Sequence, residues 1–310
     1  MGRFSGQVAI VTGAGGGIGR AHALLLGREG ARVVVNDYGG DSSGIRGTSA
    51  AAQAVVDEIV AGGGTAVADS HDVAIEGPEI VETAVDAFGG VQLIVNNAGI
   101  ASGGSIDEIP ATDFDRMLAI HLGGTIAVCR AAWPIMRAQQ FGRIVNTSSA
   151  SVFGLAGTSP YITAKAALFG FTRALGRDGK KFDIKVNAIM PSAYSRLTAK
   201  SVEFAPIMEA GFPPERIAPF VAALLTREAP CTAETFVVGG GRAARVVLAT
   251  SPGITDIVDI DDVLARFEQV MSMDDLFIPK DATAQVLYEC EQIGLDLAAI
   301  MASSVSQSNS

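Results

Sequence analysis

The chain has 310 residues, of which 48% are hydrophobic and 18% are charged, and its net charge is −10. The high apolar content excludes an intrinsically disordered chain, and the acidic balance argues against nucleic acid and anionic membranes as partners. The length fits one large α/β domain or one domain with an extension, and we find no apolar run of membrane-spanning length.

Short apolar runs alternate with helical patterns along the first part of the chain. The runs that we predict as strands are QVAIVTG, ARVVVND, TAVADSHDV, VQLIVNNAG, GRIVNTSS, IKVNAIMP and ETFVVGGG. Continuous apolar strands between helices indicate a parallel sheet that is covered on both faces. We therefore predict a doubly wound, mostly parallel α/β sheet of the Rossmann type over residues 1–245, with helices on both faces.

A glycine-rich loop, VTGAGGGIG, joins the first predicted strand to the first helix. Gly13, Gly17 and Gly19 have the spacing G-x-x-x-G-x-G, with Ile18 between the last two. Glycine permits the tight turn and lets the backbone approach a pyrophosphate at a helix N-terminus. Such a loop is a weak signal alone, but it becomes a strong one when an acidic residue ends the second strand.

Asp37 is that acidic residue. A carboxylate at this position can accept hydrogen bonds from both adenosine ribose hydroxyls and would repel a 2′-phosphate; the alternative is an ordinary turn aspartate before YGGD. Residue 16 is glycine and supplies no cation for a 2′-phosphate, so the sequence favours NAD over NADP. Asp72 and Val73, which end the third strand, either flank the adenine or merely cap the next helix.

Two further motifs follow in chain order. NNAG ends the fourth strand, where Asn97, Ala98 and Gly99 would let the chain pass close to a cofactor, although the motif is unremarkable as a turn. SPYITAK places Tyr161 and Lys165 on one face of a helix. Chance produces many such pairs, but an ammonium beside a phenol favours the phenolate and could bring it into a useful range for acid–base catalysis.

The alternation of strands and helices stops after residue 245. DDVLARFEQVMSM and AQVLYECEQIGLDLAAIM each carry an apolar stripe at helical spacing. We therefore predict a C-terminal helical extension over residues 246–310, with packing on the parent domain favoured over a lid. The last residues, SSVSQSNS, have the composition of a frayed tail.

The cysteines and histidines form no recognisable framework. Cys129, Cys231 and Cys290 are too widely separated for a disulfide or zinc pattern, and the three histidines are scattered as well. We predict no metal, and thiols that remain reduced in the cytoplasm. A strand that begins at residue 8 leaves no room for a signal peptide ahead of it.

TGAGGGIG, NNAG, TSS and YITAK, in this order and spacing, resemble the short-chain dehydrogenase/reductase family over roughly residues 5–245. VVVNDYGGD, HLGGT and FVVGGG further resemble one branch, the (3R)-hydroxyacyl-CoA dehydrogenase modules of peroxisomal multifunctional enzymes of type 2, also called 17β-hydroxysteroid dehydrogenase type 4. The resemblance implies an NAD-dependent oxidoreductase that interconverts a secondary alcohol and a ketone on a large apolar substrate. A (3R)-3-hydroxyacyl-CoA is the first candidate and a 17β-hydroxysteroid the second. An NAD-binding regulator without turnover is the alternative from another class.

The resemblance also assigns catalytic roles. Tyr161 is the general acid–base, Lys165 lowers its pKa and binds the nicotinamide ribose, and Ser149 hydrogen-bonds the substrate oxygen. Ser149 matches as the second serine of TSS, but Ser148 is the one that fits the family's usual distance from the tyrosine. His121 stands where many members have asparagine, whose backbone carbonyl holds a water in a proton relay; the alternative for this histidine is packing alone.

The remaining implications concern the nicotinamide end and the partners. Pro191, Ala193 and Arg196 are expected beside the nicotinamide, although this segment departs from the family's usual Pro-Gly. Lys200 and Arg216, together with Arg196, are candidates for a basic patch that would hold CoA phosphates, unless they are ordinary surface charges. The family implies a homodimer or homotetramer through helices beside the fifth strand, and TIAVCRAAWPIM and AALFGFTRAL are apolar over more than one face. Burial of both faces within one subunit is the alternative.

Overall fold

A computed structural model describes residues 2–40, 50–195, 198–200 and 205–295. The elements in chain order are β1 (Val8–Thr12), α1 (Gly17–Arg28), β2 (Arg32–Asn36), α2 (Ala50–Ala61), β3 (Thr65–Asp69), α3 (Gly77–Phe88), β4 (Leu93–Asn96), α4 (Ala111–Leu118), α5 (Gly124–Gln139), β5 (Gly142–Thr147), α6 (Ser159–Asp178), β6 (Ile184–Ser192), α7 (Ala205–Gly211), α8 (Ala218–Leu225), β7 (Thr235–Gly239), β8 (Arg242–Val246), α9 (Ile260–Ala265), α10 (Phe267–Val270) and α11 (Ala282–Gln292).

The strands form one sheet in the order β3-β2-β1-β4-β5-β6-β7-β8. All neighbouring pairs are parallel except β7 and β8, which are antiparallel. The chain changes direction across the sheet between β1 and β4, and ligands of such sheets bind outside the carboxyl ends of the strands at this switch point. The predicted doubly wound, mostly parallel sheet with C-terminal helices is confirmed.

The central strands are apolar throughout because both of their faces are covered. Every residue of β1, β4 and β5 is buried, as expected for strands between two helical layers. The apolar residues divide into two large clusters, one on each face of the sheet. This packing holds the carboxyl ends of the strands, and the loops that follow them, in fixed positions.

The eighth strand was not among the predicted strands. Gly240 and Gly241 connect β7 to β8 with φ of +58° and +85°, and two central residues with positive φ are typical of the tight hairpin turns that reverse a strand. The Gly-Gly pair was the available signal. It was missed because Arg242–Val246, with the sequence RAARV, is not a continuous apolar run and lies largely exposed at the edge of the sheet.

A buried arginine fastens the opposite, amino-terminal edge of the sheet. Arg143 in β5 has no exposed surface. Its guanidinium donates to the carbonyl of Thr226 at 2.9 Å, to the carbonyl of Arg227 at 3.0 Å and to the carboxylate of Asp183 at 3.1 and 3.2 Å. A buried cation is tolerated only with such partners. Arg143 therefore stabilises the fold at the edge opposite the strand ends that form the cleft.

The chain divides into two compact units, one up to Val246 and one from Val247 onward. Within the second unit, the side chains of Asp259 and Asp281 cap α9 and α11 by accepting a backbone N–H each, which is the usual role of aspartate at this position. Phe277 stacks on Tyr288 with ring centroids 4.2 Å apart. The predicted frayed tail falls in 296–310, outside the described residues.

The helical stretch Ala111–Gln139 meets the length and hydropathy that a membrane span needs, with a mean hydropathy of 1.3 in its most apolar window. It was the one such stretch found in the part of the chain that the structure describes, and our expectation that no run reaches this length is therefore wrong. The stretch comprises α4 and α5, which pack on α6 and α3 respectively. A core helix of a globular domain passes the same length test, so the stretch is weak evidence for a membrane span.

Candidate active site

A cleft of about 340 Å³ lies at the carboxyl ends of the parallel strands. Every predicted catalytic and cofactor-binding residue lines this cleft except Gly19 and Arg196. Arg196 lies outside the described residues, and Gly19 packs against the backbone of Gly13 within the glycine-rich loop. The loops that supply the lining follow six different strands, which explains how residues scattered over most of the first unit come together.

The glycines of the loop are required by close approach and by backbone conformation. A Cβ on Gly19 would lie 2.2 Å from the carbonyl oxygen of Gly13, so α1 could not begin where it does. Gly13 has φ +63° and a Cβ there would lie 2.7 Å from Cα of Ala98, while Gly17 has φ +52°. The loop is therefore narrow and backbone-lined, as a phosphate-binding turn at a helix N-terminus must be.

The NNAG motif fastens this loop to the neighbouring strand end. The side-chain amide of Asn97 donates to the carbonyls of Thr12 at 3.0 Å and Gly13 at 3.1 Å. In return, the hydroxyl of Thr12 accepts from the backbone N–H groups of Asn97 at 3.0 Å and Ala98 at 3.1 Å. Asn97 therefore fixes the shape of the cleft floor. Sequence reasoning missed its partner Thr12, for which the TG pair at the start of the loop was the only signal.

The sequence left open whether Asp37 binds a ribose or only stabilises a turn, and its position in the structure is compatible with both. Its carboxylate accepts from the backbone N–H of Gly15 at 2.8 Å and of Gly39 at 2.8 Å, so it does organise the turn. It also lines the cleft and is only 7% exposed. Each carboxylate oxygen can accept more than one hydrogen bond, so capacity remains for a ribose hydroxyl.

Asp72 and Val73 lie in the cleft wall, in the turn that precedes α3, and neither caps that helix, whose N-cap residue is Glu76. The carboxylate of Asp72 accepts from the backbone N–H of Ala74 at 2.9 Å, and the carboxylate of Glu76 accepts from the backbone N–H of Asp72 at 2.8 Å. Val73 is buried, and a Cβ on Gly124 would lie 2.8 Å from its side chain. This close contact seats the start of α5 against the cleft.

The structure separates the two candidate serines. The side chain of Ser149 is hydrogen-bonded to the hydroxyl of Tyr161, and it lines the cleft. Ser148 also lines the cleft, but it is only 1% exposed and its hydroxyl donates to the backbone carbonyl of Lys165 at 2.8 Å. The geometry thus brings Ser149 to the phenol and uses Ser148 for packing, although Ser148 fits the family's usual spacing.

Lys165 and Tyr161 lie together, but burial changes the electrostatics that we expected. Nζ of Lys165 donates to the carbonyl of Thr147 at 2.6 Å and lies 5.7 Å from the centroid of the phenol ring. Burial lowers the pKa of Lys165 to about 7, because a desolvated ammonium is unfavourable. Burial also raises the pKa of Tyr161, and the hydrogen bond from Ser149 only partly offsets this effect. The lowering of the Tyr161 pKa by Lys165, which the resemblance implies, therefore stays a prediction.

His121 reaches the catalytic group through its ring. It lies in a π-helical turn, Ala119–Gly123, and such turns often occur at functional sites. Its Nε2 lies 2.8 Å from the carbonyl oxygen and 3.2 Å from the backbone nitrogen of Ile100, and its ring stands edge-on to Tyr161 with centroids 5.3 Å apart. Burial holds the pKa of His121 well below its usual value. Its backbone carbonyl, expected to hold a water, accepts from the hydroxyl of Thr125 at 2.8 Å.

The predicted basic patch is only partly described by the structure. Arg216 is exposed, while Arg196 and the side chain of Lys200 lie outside what the structure describes, so the basic patch stays a prediction. The cleft lining also includes His71, Arg116 and Thr198, which sequence reasoning did not select. In the described ranges, no group of three or more His, Cys, Asp or Glu side chains could hold a metal ion.

The chain matches the model of the short chain dehydrogenase family over residues 7–203. It is 41% identical over 272 residues to a putative short-chain type dehydrogenase/reductase of Mycobacterium tuberculosis, covering 86% of this chain and 94% of that protein. It is 42% identical over 254 residues to a peroxisomal hydratase-dehydrogenase-epimerase of Neurospora crassa, covering 81% of this chain and 28% of that protein.

A solved structure shows the same likeness. The full-length peroxisomal multifunctional enzyme type 2 of Drosophila melanogaster superimposes with a TM-score of 0.75 at 30% identity, covering 92% of this chain and 48% of that chain. The predicted resemblance to this branch is confirmed. The chain spans less than a third of the Neurospora protein and about half of the Drosophila one, so those relatives carry long segments that this chain does not match.

Proposed function

Because the chain belongs to the short-chain dehydrogenase family, and is therefore an oxidoreductase that uses a nicotinamide cofactor, we propose that it uses NAD to interconvert a secondary alcohol and a ketone. The proposed substrate has a large apolar body, with a (3R)-3-hydroxyacyl-CoA as first candidate. The observation that carries the proposal is the meeting of Ser149, Tyr161 and Lys165 in one cleft with the glycine-rich loop.

The residues fit a nicotinamide dinucleotide. The glycine-rich loop offers backbone N–H groups at the start of α1, where an anionic pyrophosphate is favoured, and a Cβ on Gly16 would meet nothing within 4 Å, so this side of the loop is open. The buried Asp37 supports NAD rather than NADP, because its negative charge disfavours a 2′-phosphate. When bound, the cofactor supplies the hydride acceptor for oxidation of the alcohol carbon.

The side chains at the other end of the cleft move the proton. Ser149 orients the substrate hydroxyl, and the phenolate oxygen of Tyr161 takes its proton while the hydride leaves the carbon; reduction runs the same steps backwards. A positive charge beside the phenol favours the phenolate, and Lys165, with a pKa of about 7, is partly charged near neutral pH. Because burial raises the pKa of Tyr161, oxidation is expected to accelerate as the pH rises.

The substrate proposal is supported by the dehydrogenase named in the Neurospora relative and by the multifunctional enzyme that shares the fold. A 17β-hydroxysteroid is the second candidate, because an apolar pocket separates large apolar bodies by only about 1–3 kcal/mol per methylene. A regulator without turnover is disfavoured by the assembled serine, tyrosine and lysine.

The test measures NADH absorbance with a (3R)-3-hydroxyacyl-CoA, with its CoA-free analogue and with a 17β-hydroxysteroid, each offered with NAD and with NADP. We expect the highest kcat/KM for the CoA thioester with NAD. If removal of CoA has no effect on kcat/KM, the acyl-CoA proposal fails and the steroid takes its place. No turnover with any alcohol tested would contradict the proposed reaction itself.

We also propose a homodimer or homotetramer formed through α5 and α6. Half-buried apolar side chains, including Trp133 on α5 and Phe169 on α6, remain on these helices. Light scattering that gives only the monomer mass would contradict this proposal. A reducing compartment such as the cytoplasm is supported by the free thiols of Cys129, Cys231 and Cys290.

A further inference from the structure

A cluster of polar side chains at the end of β3 is not used by the proposed mechanism. Asp69 is 5% exposed, and its carboxylate collects four donors. They are the side-chain amide of Asn36 at 2.6 Å, the hydroxyl of Thr83 at 2.7 Å, and the ring Nδ1 and backbone N–H of His71 at 2.8 and 3.2 Å. A buried carboxylate with this many partners is a rigid anchor, and what it holds in place is the imidazole.

The anchor places His71 at the same end of the cleft as Asp37. β2 and β3 are neighbours with Asn36 opposite Asp69, and the backbone N–H of Asp37 donates to the carbonyl of Asp69 at 2.9 Å. The side-chain amide of Asn36 also donates to the carbonyl of His71 at 2.9 Å. Asp37 and His71 both line the cleft. The two strand ends are thus tied together by three hydrogen bonds.

The ring of His71 has one nitrogen left for a ligand. Nδ1 is held by Asp69, and the side chain is 40% exposed, so Nε2 is the polar atom that remains. An Asp–His pair of this kind fixes the tautomer with the proton of the neutral ring on Nδ1, and a second proton on Nε2 makes the ring a cation. His71 can therefore accept or donate at Nε2 according to pH.

The surroundings of the ring favour the cation. The hydrogen bond that the ring donates to Asp69 is the largest cause that raises the pKa of His71, and Glu76 and Glu79 add to it from the start of α3. Asp37 and Asp72 are further carboxylates in the same cleft lining. The positively charged side chains in that lining are Arg116 and Lys165.

We propose that His71 is a second cofactor-recognition residue, which acts beside Asp37 on the adenosine half of the dinucleotide and makes the discrimination against a 2′-phosphate depend on pH. The inference rests on the proposed use of a nicotinamide dinucleotide. At low pH the imidazolium attracts a phosphate and so offsets the repulsion between that phosphate and Asp37. At high pH the ring is neutral and the repulsion by Asp37 remains alone.

The test uses ligands that contain no nicotinamide, so it does not depend on turnover. Calorimetry would measure the Kd of AMP and of adenosine 2′,5′-bisphosphate between pH 5.5 and 8.5, for the wild type and for His71→Gln. We expect the ratio of the two Kd values, bisphosphate over AMP, to rise about tenfold with pH in the wild type. His71→Gln keeps a polar side chain that cannot be charged, and should show only the smaller change due to titration of the phosphate itself.

Two further measurements separate recognition from mere support of the fold. Asp69→Asn keeps a polar partner for the ring but removes the charge, so it should move the midpoint of the ratio to lower pH. Thr65→Val, at the exposed start of β3, is the control and should leave the midpoint close to that of the wild type. The proton NMR titration of His71 in the wild type should give the same midpoint as the binding ratio, and this holds even if Asp69→Asn fails to fold.

The outcomes distinguish this inference from the proposed function. If AMP binds but the ratio follows pH equally in the wild type and in His71→Gln, the role of His71 is wrong and the proposed reaction stands. If neither AMP nor NAD binds at any pH, the cleft is not a dinucleotide site, and both the inference and the proposed function are overturned.

Discussion

The two ends of the cleft hold their ionisable groups in different ways. At the catalytic end, Tyr161, Lys165 and His121 are buried, and desolvation is the first cause of every pKa shift among them. At the adenosine end, the carboxylates of Asp37 and Asp69 accept several N–H and O–H donors each. Here the pKa of His71 is raised first by a hydrogen bond to a carboxylate.

The difference matters because the two ends are proposed to perform different tasks. Desolvation brings a group such as Lys165 close to neutral pH, where proton transfer is efficient, but it destabilises the charged form in the folded protein. Hydrogen bonds from the backbone hold a carboxylate such as that of Asp37 in a fixed position, which suits recognition. Substitutions at the catalytic end should therefore change rates and pH-dependent stability, whereas those at the adenosine end should change affinities.

The largest effect is expected for Tyr161→Phe, which removes the proton-transferring oxygen and little contact area. We expect kcat to fall by about 10²–10⁴-fold, with the Kd of NAD nearly unchanged. Steady-state kinetics and calorimetry measure the two quantities. Tyr288→Phe, in the second unit, is the matched control and should leave kcat as in the wild type. Substantial turnover by Tyr161→Phe would contradict its role as acid–base.

The second prediction concerns the free energy of unfolding of Lys165→Met. The pKa of Lys165 is lowered from 10.5 to about 7, so between these values the unfolded chain binds a proton that the folded chain has lost. The stability of the wild type should therefore rise with pH across this window, by at most about 1.4 kcal/mol per pH unit from this group, and should gain nothing from it below pH 7.

Urea denaturation of the wild type and of Lys165→Met at pH 7, 8 and 9 tests this contrast. The difference in unfolding free energy between the two proteins should change with pH in the direction that favours the wild type at high pH. A difference independent of pH would show that Lys165 keeps its proton in the folded protein, and the comparison between the two ends would lose its strongest support.

The third prediction separates the two serines. Ser149→Ala removes the hydrogen bond to Tyr161 and should lower kcat/KM by about tenfold to a hundredfold, the cost of losing a hydrogen bond to a charged group. Ser148→Ala removes an interior hydrogen bond to the carbonyl of Lys165 and should cost about 1 kcal/mol of stability, with a smaller change in kcat/KM. A larger kinetic loss at Ser148 would reverse the assignment.

The mostly parallel sheet and many of the cleft residues could be predicted from the sequence. Strands such as β1, β4 and β5 are continuous apolar runs because both faces are buried, and the glycine-rich loop and Asp37 sit at strand ends that a parallel sheet must bring to one edge. These features are local in the sequence, or follow from it by one step of topology.

What could not be predicted depends on contacts between distant residues. The sequence could not show that Asp69 would join His71 to Thr83, because no local spacing links a strand end to the middle of the next helix. It could not give the direction of the pKa shift at Tyr161, because the shift depends on how completely the loops exclude water. The choice of Ser149 over Ser148 likewise depends on the backbone geometry of one loop.

The smallest effect is expected at the adenosine end, for Asp37→Asn. Asparagine matches aspartate in size but has no charge, and its single carbonyl oxygen can replace only one of the two acceptors that hold Gly15 and Gly39. We expect NAD to bind somewhat less tightly, and the ratio of Kd for NADP to Kd for NAD to fall by about tenfold, because the repulsion of the 2′-phosphate is gone. The value of kcat with saturating NAD should change little, since Tyr161 and Lys165 lie at the other end. Equal weakening of NAD and NADP would mean that Asp37 only shapes the glycine-rich loop, in which case the preference for NAD must come from elsewhere in the cleft.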